Sequence, residues 1–170
     1  VLFSGILPGV HLRLRHIAGA VMGFTAAALL VFDKIGASAG YPDAMLAPLT
    51  DPFQFAELQA FNSYLCATVH VAHAHLRRAE RWADDAAARA ELRRKAPSVV
   101  DACFALMNSE MVGAPWVLGD AFSVADCYLF TLTEWLPAHG LDVGRYPVIA
   151  AHHARMRERT AVQETLAAER

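Results

Sequence analysis

Three histidines within six positions, His70, His73 and His75, are the residues whose type and spacing most readily suggest chemistry in this 170-residue chain. His70 and His73 are three apart and share a helix face, whereas His75 lies about 140° round from His70 at 3.6 residues per turn. A closed metal site would need ligands from another helix, and no such pairing can be identified in the sequence, so no metal is expected. Tyr64 and Cys66 lie one turn earlier on the same helix. Without a neighbouring base, a lone cysteine reads as a small core residue rather than a nucleophile. Further along, Ser123 and Asp126 have capping-box spacing. The hydroxyl can accept from the backbone N–H three residues on, while the carboxylate reaches back to the N–H of Ser123. Aspartate is shorter than the usual Glu or Gln of such a box, so the return contact should be tight and buried, and its role structural.

The elements that must position these residues are helical. Alanine is abundant in a composition that is 55% hydrophobic, and alanine is the best helix former. The length suits one domain, or one domain plus part of a second. Three cysteines, Cys66, Cys103 and Cys127, form neither a disulfide framework nor a C-x-x-C site, which places the chain in a reducing, cytoplasmic setting. Net charge is −2 with basic and acidic residues interleaved, so nucleic acid is not an expected partner. The uncharged run from Ile17 to Phe32, preceded by Arg13 and Arg15, imitates a signal peptide or an anchor. It is shorter than the ~20 residues a spanning helix needs and is broken by Gly19 and Gly23, so it is read as buried core.

Punctuation is legible beyond Pro48. Asp51-Pro52 gives an N-cap and a proline at the first helical position, opening a helix to about Arg78 with an apolar stripe of Phe55, Leu58, Phe61, Leu65 and Val69. Asp85 caps a second helix, which carries Leu92, Val99, Val100, Cys103, Leu106 and Met107 and ends at Gly113. The Ser123 box opens a third, running through Tyr128, Leu129, Leu132 and Trp135 to Pro137. Tyr146-Pro147 opens a fourth ending near Arg159, and Ala161 to Ala168 forms a short last one.

Gly119, two residues, Phe122, then Ser123-x-x-Asp126 ahead of an apolar helix resembles the N-capping box and hydrophobic staple of the C-terminal domain of glutathione S-transferases. Trp116-Val117-Leu118-Gly119, Tyr128-Leu129-Phe130 with Trp135, and Tyr146-Pro147 followed by Arg155 and Arg159 fit the same family. The resemblance implies an all-α helical bundle over 51–170, an interdomain linker over 42–50, and at 1–41 a remnant of a thioredoxin-like domain made of a β-hairpin plus helix. In that remnant Phe24 stands where the family has a glutathione-binding glutamate, and only Thr25 keeps a hydroxyl. The segment that activates the glutathione thiol has no counterpart upstream, which implies a chain incomplete for catalysis, as a fragment of a longer transferase or a divergent relative would be.

The family resemblance also implies functional residues. Some bacterial members place a histidine within one residue of His70 in contact with glutathione, so His70 joins Thr25 as a candidate for that co-substrate. A hydrophobic electrophile would meet Tyr64, His70, His73 and Trp135. Gly119, Ser123 and Asp126 are structural, and no catalytic residue can be assigned. The implied reaction is attack of glutathione thiolate on a hydrophobic small molecule. The alternatives are a non-catalytic module whose helical face meets a protein partner, a homodimer being one form of this, and a membrane-anchored helical protein dependent on residues 17–32.

Overall fold

In a computed structural model, residues 46–47 and 51–168 are described. The expectations for the thioredoxin-like remnant, Thr25, the run Ile17 to Phe32 and most of the linker fall outside them. Helix α1 (Pro52–Tyr64) starts where the sequence supplies both a cap and a proline. Asp51 Oδ1 accepts from the N–H groups of Phe53 at 2.9 Å and Gln54 at 3.1 Å, and Pro52 has no N–H to leave unpaired. The chain then passes through one π-helical turn, Leu65–Val69, into α2 (His70–Arg77). The helix expected from Pro52 to about Arg78 has that extent, but the wide turn lengthens the ring by one residue and re-aims everything after it.

Asp85 caps α3 (Ala86–Leu106), its Oδ1 accepting from Ala88 N–H at 2.8 Å. A second π-helical turn, Met107–Met111, ends it, one residue before the chain becomes extended at Val112. The loop that follows folds back on itself, and Gly113 is needed there for space. A Cβ on Gly113 would lie 2.9 Å from the Gly119 nitrogen and 3.0 Å from the Trp116 oxygen. Gly119 itself has φ +84°, a conformation that a side chain would strain. Helix α4 (Val124–Thr133), short 3-10 turns at Leu136–His139 and Val143–Arg145, α5 (Pro147–Arg157) and α6 (Thr160–Ala168) complete the order.

The stripe on α1 and the π turn is the core face: Leu58, Phe61, Leu65 and Val69 are buried, with Phe104 and Met107 from the α3 segment and Leu129 and Leu132 from α4. Each such side chain stabilises the fold by roughly 1.5–3 kcal/mol relative to exposure. Among the described residues no helix is long and apolar enough to cross a membrane.

Two polar side chains join helices across this core. Asn108 Oδ1 accepts from Val148 N–H at 2.9 Å, so the start of α5, whose own cap residue Tyr146 makes no side-chain capping bond, is capped from the end of the α3 segment. Asp126 is fully buried. Its Oδ1 accepts from Val117 N–H at 2.8 Å and His152 Nε2 at 3.0 Å; its Oδ2 accepts from Ser123 N–H at 2.7 Å and Ser123 Oγ at 3.1 Å. Ser123 Oγ in turn accepts from Ala125 N–H at 3.3 Å. Burial alone would raise the Asp126 carboxyl, but the bonds from His152, Val117 and Ser123 outweigh it and hold the group below the usual carboxylate range.

Ser123→Ala removes one cap and should cost about 0.5–2 kcal/mol. Asp126→Ala should cost more, about 3 kcal/mol or above, because it leaves buried donors unpaired. Urea midpoints of the two variants check both; an Asp126→Ala protein as stable as the parent contradicts this account.

Candidate functional site

The first turn of α2 carries His70 and His73, and the end of α4 with its following turn sets Trp135 and His139 against them. His70 Nδ1 lies 2.9 Å from Tyr128 Oη, and its ring stands edge-on to Trp135 at 5.2 Å. His73 is buried, edge-on to both Trp135 at 5.6 Å and Phe104 at 5.9 Å. Its Nδ1 lies 2.9 Å from Nε2 of His139, which is also buried. Between two neutral imidazoles one nitrogen must donate and the other accept, so the rings hold complementary tautomers. The outer nitrogens, His73 Nε2 and His139 Nδ1, are buried with no protein partner.

Burial is the main reason the His73 pKa is pushed down to about 3, with His139 and His70 adding to it. His139 is lowered by burial and then by the Arg77 guanidinium. At neutral pH the pair is therefore uncharged, able to make hydrogen bonds but not to serve as a cation. Burial and then Cys66 raise the Tyr128 hydroxyl, which stays protonated.

His70, His73, Trp135 and His139 share the lining of a recess of about 330 Å³ with Trp82 and three arginines. The volume is at the small end of the range for small-molecule sites. Trp135, expected to be a candidate contact or simply a packed indole, is 37% exposed and so presents an aromatic face to solvent. Three of the four residues expected to contact an electrophile thus come together. The fourth, Tyr64, is not among the lining residues: its hydroxyl lies by Cys103, and burial first, then Cys103, pushes its pKa up to about 12. His75 leaves the face of its neighbours and packs edge-on to Trp82 at 4.5 Å. Cys66 departs from the core role read for it: it is exposed on the π turn, while Cys103 takes the buried place.

His139, Tyr128 as the partner of His70, and the arginines were not found by sequence reasoning as parts of this site. His139 lies 66 residues from the ring it bonds. No local spacing signals such a pairing; the only nearby mark is Gly140, whose φ of +69° turns the chain after it.

The family model described as "Glutathione S-transferase, C-terminal domain" matches residues 61–160. The chain belongs to the glutathione S-transferase family. It is 30% identical over 126 residues to glutathione S-transferase GstA of Escherichia coli O157:H7, covering 74% of this chain and 58% of that protein. It is 32% identical over 123 residues to the GST-like protein YncG of Escherichia coli K12, covering 70% and 54%. The chain thus spans little more than half the length of these relatives. Among solved structures it resembles a glutathione transferase homologue from Sulfitobacter with bound glutathione, at 36% identity and a TM-score of 0.73 over 78% of this chain and 63% of that one. The recess accordingly lies in the helical domain of a glutathione S-transferase fold.

The neutral histidine pair gives this family member a testable acid response. His73 has its folded pKa lowered from the ordinary histidine value of 6.5, so the unfolded chain takes up a proton first as pH falls. Stability should therefore be full above about pH 6.5 and decline below it, by about 2 kcal/mol at pH 5 from His73 alone. His139 acts in the same direction. Asp126, whose value is depressed below that of a free carboxyl, adds its loss only at lower pH. Urea midpoints from pH 7.5 to 5 measure the slope, which His73→Gln should flatten; a flat profile in the parent refutes the assignment.

Proposed function

We propose that this chain supplies the electrophile-binding half of a glutathione transferase, with the recess beside α2 as the site for a hydrophobic small molecule and glutathione as the co-substrate. The observation that carries the reading is the meeting of His70, His73 and the exposed face of Trp135 in one recess, within a domain of established family. The bound glutathione of the Sulfitobacter homologue supports the choice of co-substrate. His70 is the residue best placed to meet it. Its Nδ1 is engaged by Tyr128, which leaves Nε2 for a ligand. The π-helical turn immediately before His70 introduces the kind of one-residue offset that separates it from the family's histidine. Thr25 remains the second proposed glutathione contact.

In this reaction the thiolate sulfur attacks the electrophilic carbon and the leaving group departs with its electron pair. The described residues hold the apolar partner and exclude water from it, which favours reaction by positioning. Lowering the thiol pKa requires a hydrogen-bond donor aimed at sulfur. That role belongs to the other half of the family's fold, and we assign it to no described residue.

A non-catalytic interaction module is the second reading, and one feature favours it. A more apolar groove of about 570 Å³, lined by Phe130, Met156 and Leu166 among others, opens on the far flank of Trp135. A partner helix or loop could cover it.

The purified chain mixed with glutathione and 1-chloro-2,4-dinitrobenzene should give thioether no faster than the uncatalysed rate; robust turnover would place the thiol-activating group within these residues. Calorimetric titration with 1,3-dinitrobenzene, which lacks the leaving group, should show binding that Trp135→Ala weakens about tenfold. Binding untouched by both Trp135→Ala and His70→Ala would remove the recess from the reading.

A further inference from the structure

We infer that the recess beside α2 selects an aromatic ligand bearing a carboxylate, the ring lying against Trp82 and Trp135 and the anion held by Arg77, Arg78 and Arg81. The inference rests on the reading of this recess as the electrophile site and names the class of electrophile it takes.

Charge is the first ground. Three arginines line the recess and no acidic residue does. Four arginines elsewhere are each paired with a carboxylate: Arg93 with Glu80, Arg94 with Glu91, Arg145 with Asp101 and Arg157 with Glu134. Among the described residues, no carboxylate lies within ion-pair distance of Arg77, Arg78 or Arg81. Glu80 is adjacent in sequence to Arg81 and would be the natural counter-ion, but it bonds Arg93, 3.7 Å away on α3. The carboxyl end of α2 favours cations there, which accounts for Arg77 and Arg78. It does not account for Arg81, which lies beyond the helix in the 3-10 turn Ala79–Arg81. The Arg77 charge is felt inside the recess, where it helps to lower His139.

Shape and surface are the second ground. Two indoles are left partly bare, Trp82 at 45% and Trp135 at 37% exposed, and both line the same recess. A planar ring between them buries apolar surface and lies within reach of guanidinium groups that match a carboxylate with paired N–H donors. A neutral aromatic satisfies the indoles but not the arginines; a carboxylate without a ring does the reverse.

The test compares 2-naphthoate with its neutral isostere 2-naphthalenemethanol, titrated calorimetrically into the full chain. Naphthoate should bind about tenfold tighter at low salt, with the advantage shrinking at about 0.5 M salt. The double variant Arg77→Gln/Arg81→Gln, altered only at exposed positions, should lose that advantage while keeping its affinity for the alcohol, and Arg77→Lys/Arg81→Lys should keep part of it. Equal affinity for the two ligands overturns the inference and leaves the electrophile site standing. Failure of both to bind overturns the inference together with that site. Glutathione is itself a carboxylate source: if it binds alone and loses that binding in the double Gln variant, the arginines read glutathione rather than the electrophile, and the inference falls.

Discussion

The buried carboxylate of Asp126 is the constraint on which the rest of the domain depends. A charge removed from water is costly unless every lone pair is met, and here each oxygen accepts twice. The four bonds come from three places: Val117 in the loop, Ser123 at the start of α4, and His152 on α5. The loop is gripped again from α5 and the turn after it: Arg155 Nη1 donates to the Pro115 carbonyl, and the Arg155 and Arg159 guanidinium groups lie over the Trp116 ring at 5.5 and 5.6 Å. Fixing the start of α4 fixes Tyr128 in its second turn and Trp135 just past its end. A group with no contact to the recess therefore sets two of the side chains that shape it.

The opposite wall depends on backbone geometry. The π-helical turn Leu65–Val69 keeps Leu65 and Val69 in the core while it turns the next segment. Its effect is that His73 faces inward and His70 sits at the edge, within reach of Tyr128. The 3-10 turn Leu136–His139, ended by Gly140 at positive φ, returns the chain so that His139 meets His73. Neither feature makes a chemical group by itself, yet without both the two imidazoles would not touch.

What the sequence disclosed follows the range of the interactions. Asp51, Asp85 and Ser123 were legible as helix starts because a cap bonds to N–H groups two or three residues away, and the apolar stripe from Leu58 to Val69 was legible because its spacing is itself the helical period. Asn108 capping a helix some 40 residues on, His152 bonding Asp126 and His139 bonding His73 leave no such mark, since only the packed fold brings them together. Pro97 illustrates the limit from the other side. It stands inside α3, where a proline removes a helix bond and ordinarily breaks the run, and the buried face of Ala96, Val100 and Phe104 carries the helix across it. Cys66 was misplaced for a similar reason, because its exposure depends on the direction of a π-helical turn that spacing alone does not announce.

Burial fixes the protonation of several groups in and around the recess, and this bears on what they can do. Each group in and around it whose ionisation is displaced is displaced toward its uncharged form: His73 and His139 toward the neutral imidazole, Tyr128 toward the protonated hydroxyl. The arginines keep their charge at any physiological pH. These groups therefore hold one fixed pattern of donors, aromatic faces and positive charge across the physiological pH range. A general base needs the reverse, a pKa near the working pH. Burial and charge have thus shaped a surface suited to recognition rather than to proton transfer by these groups.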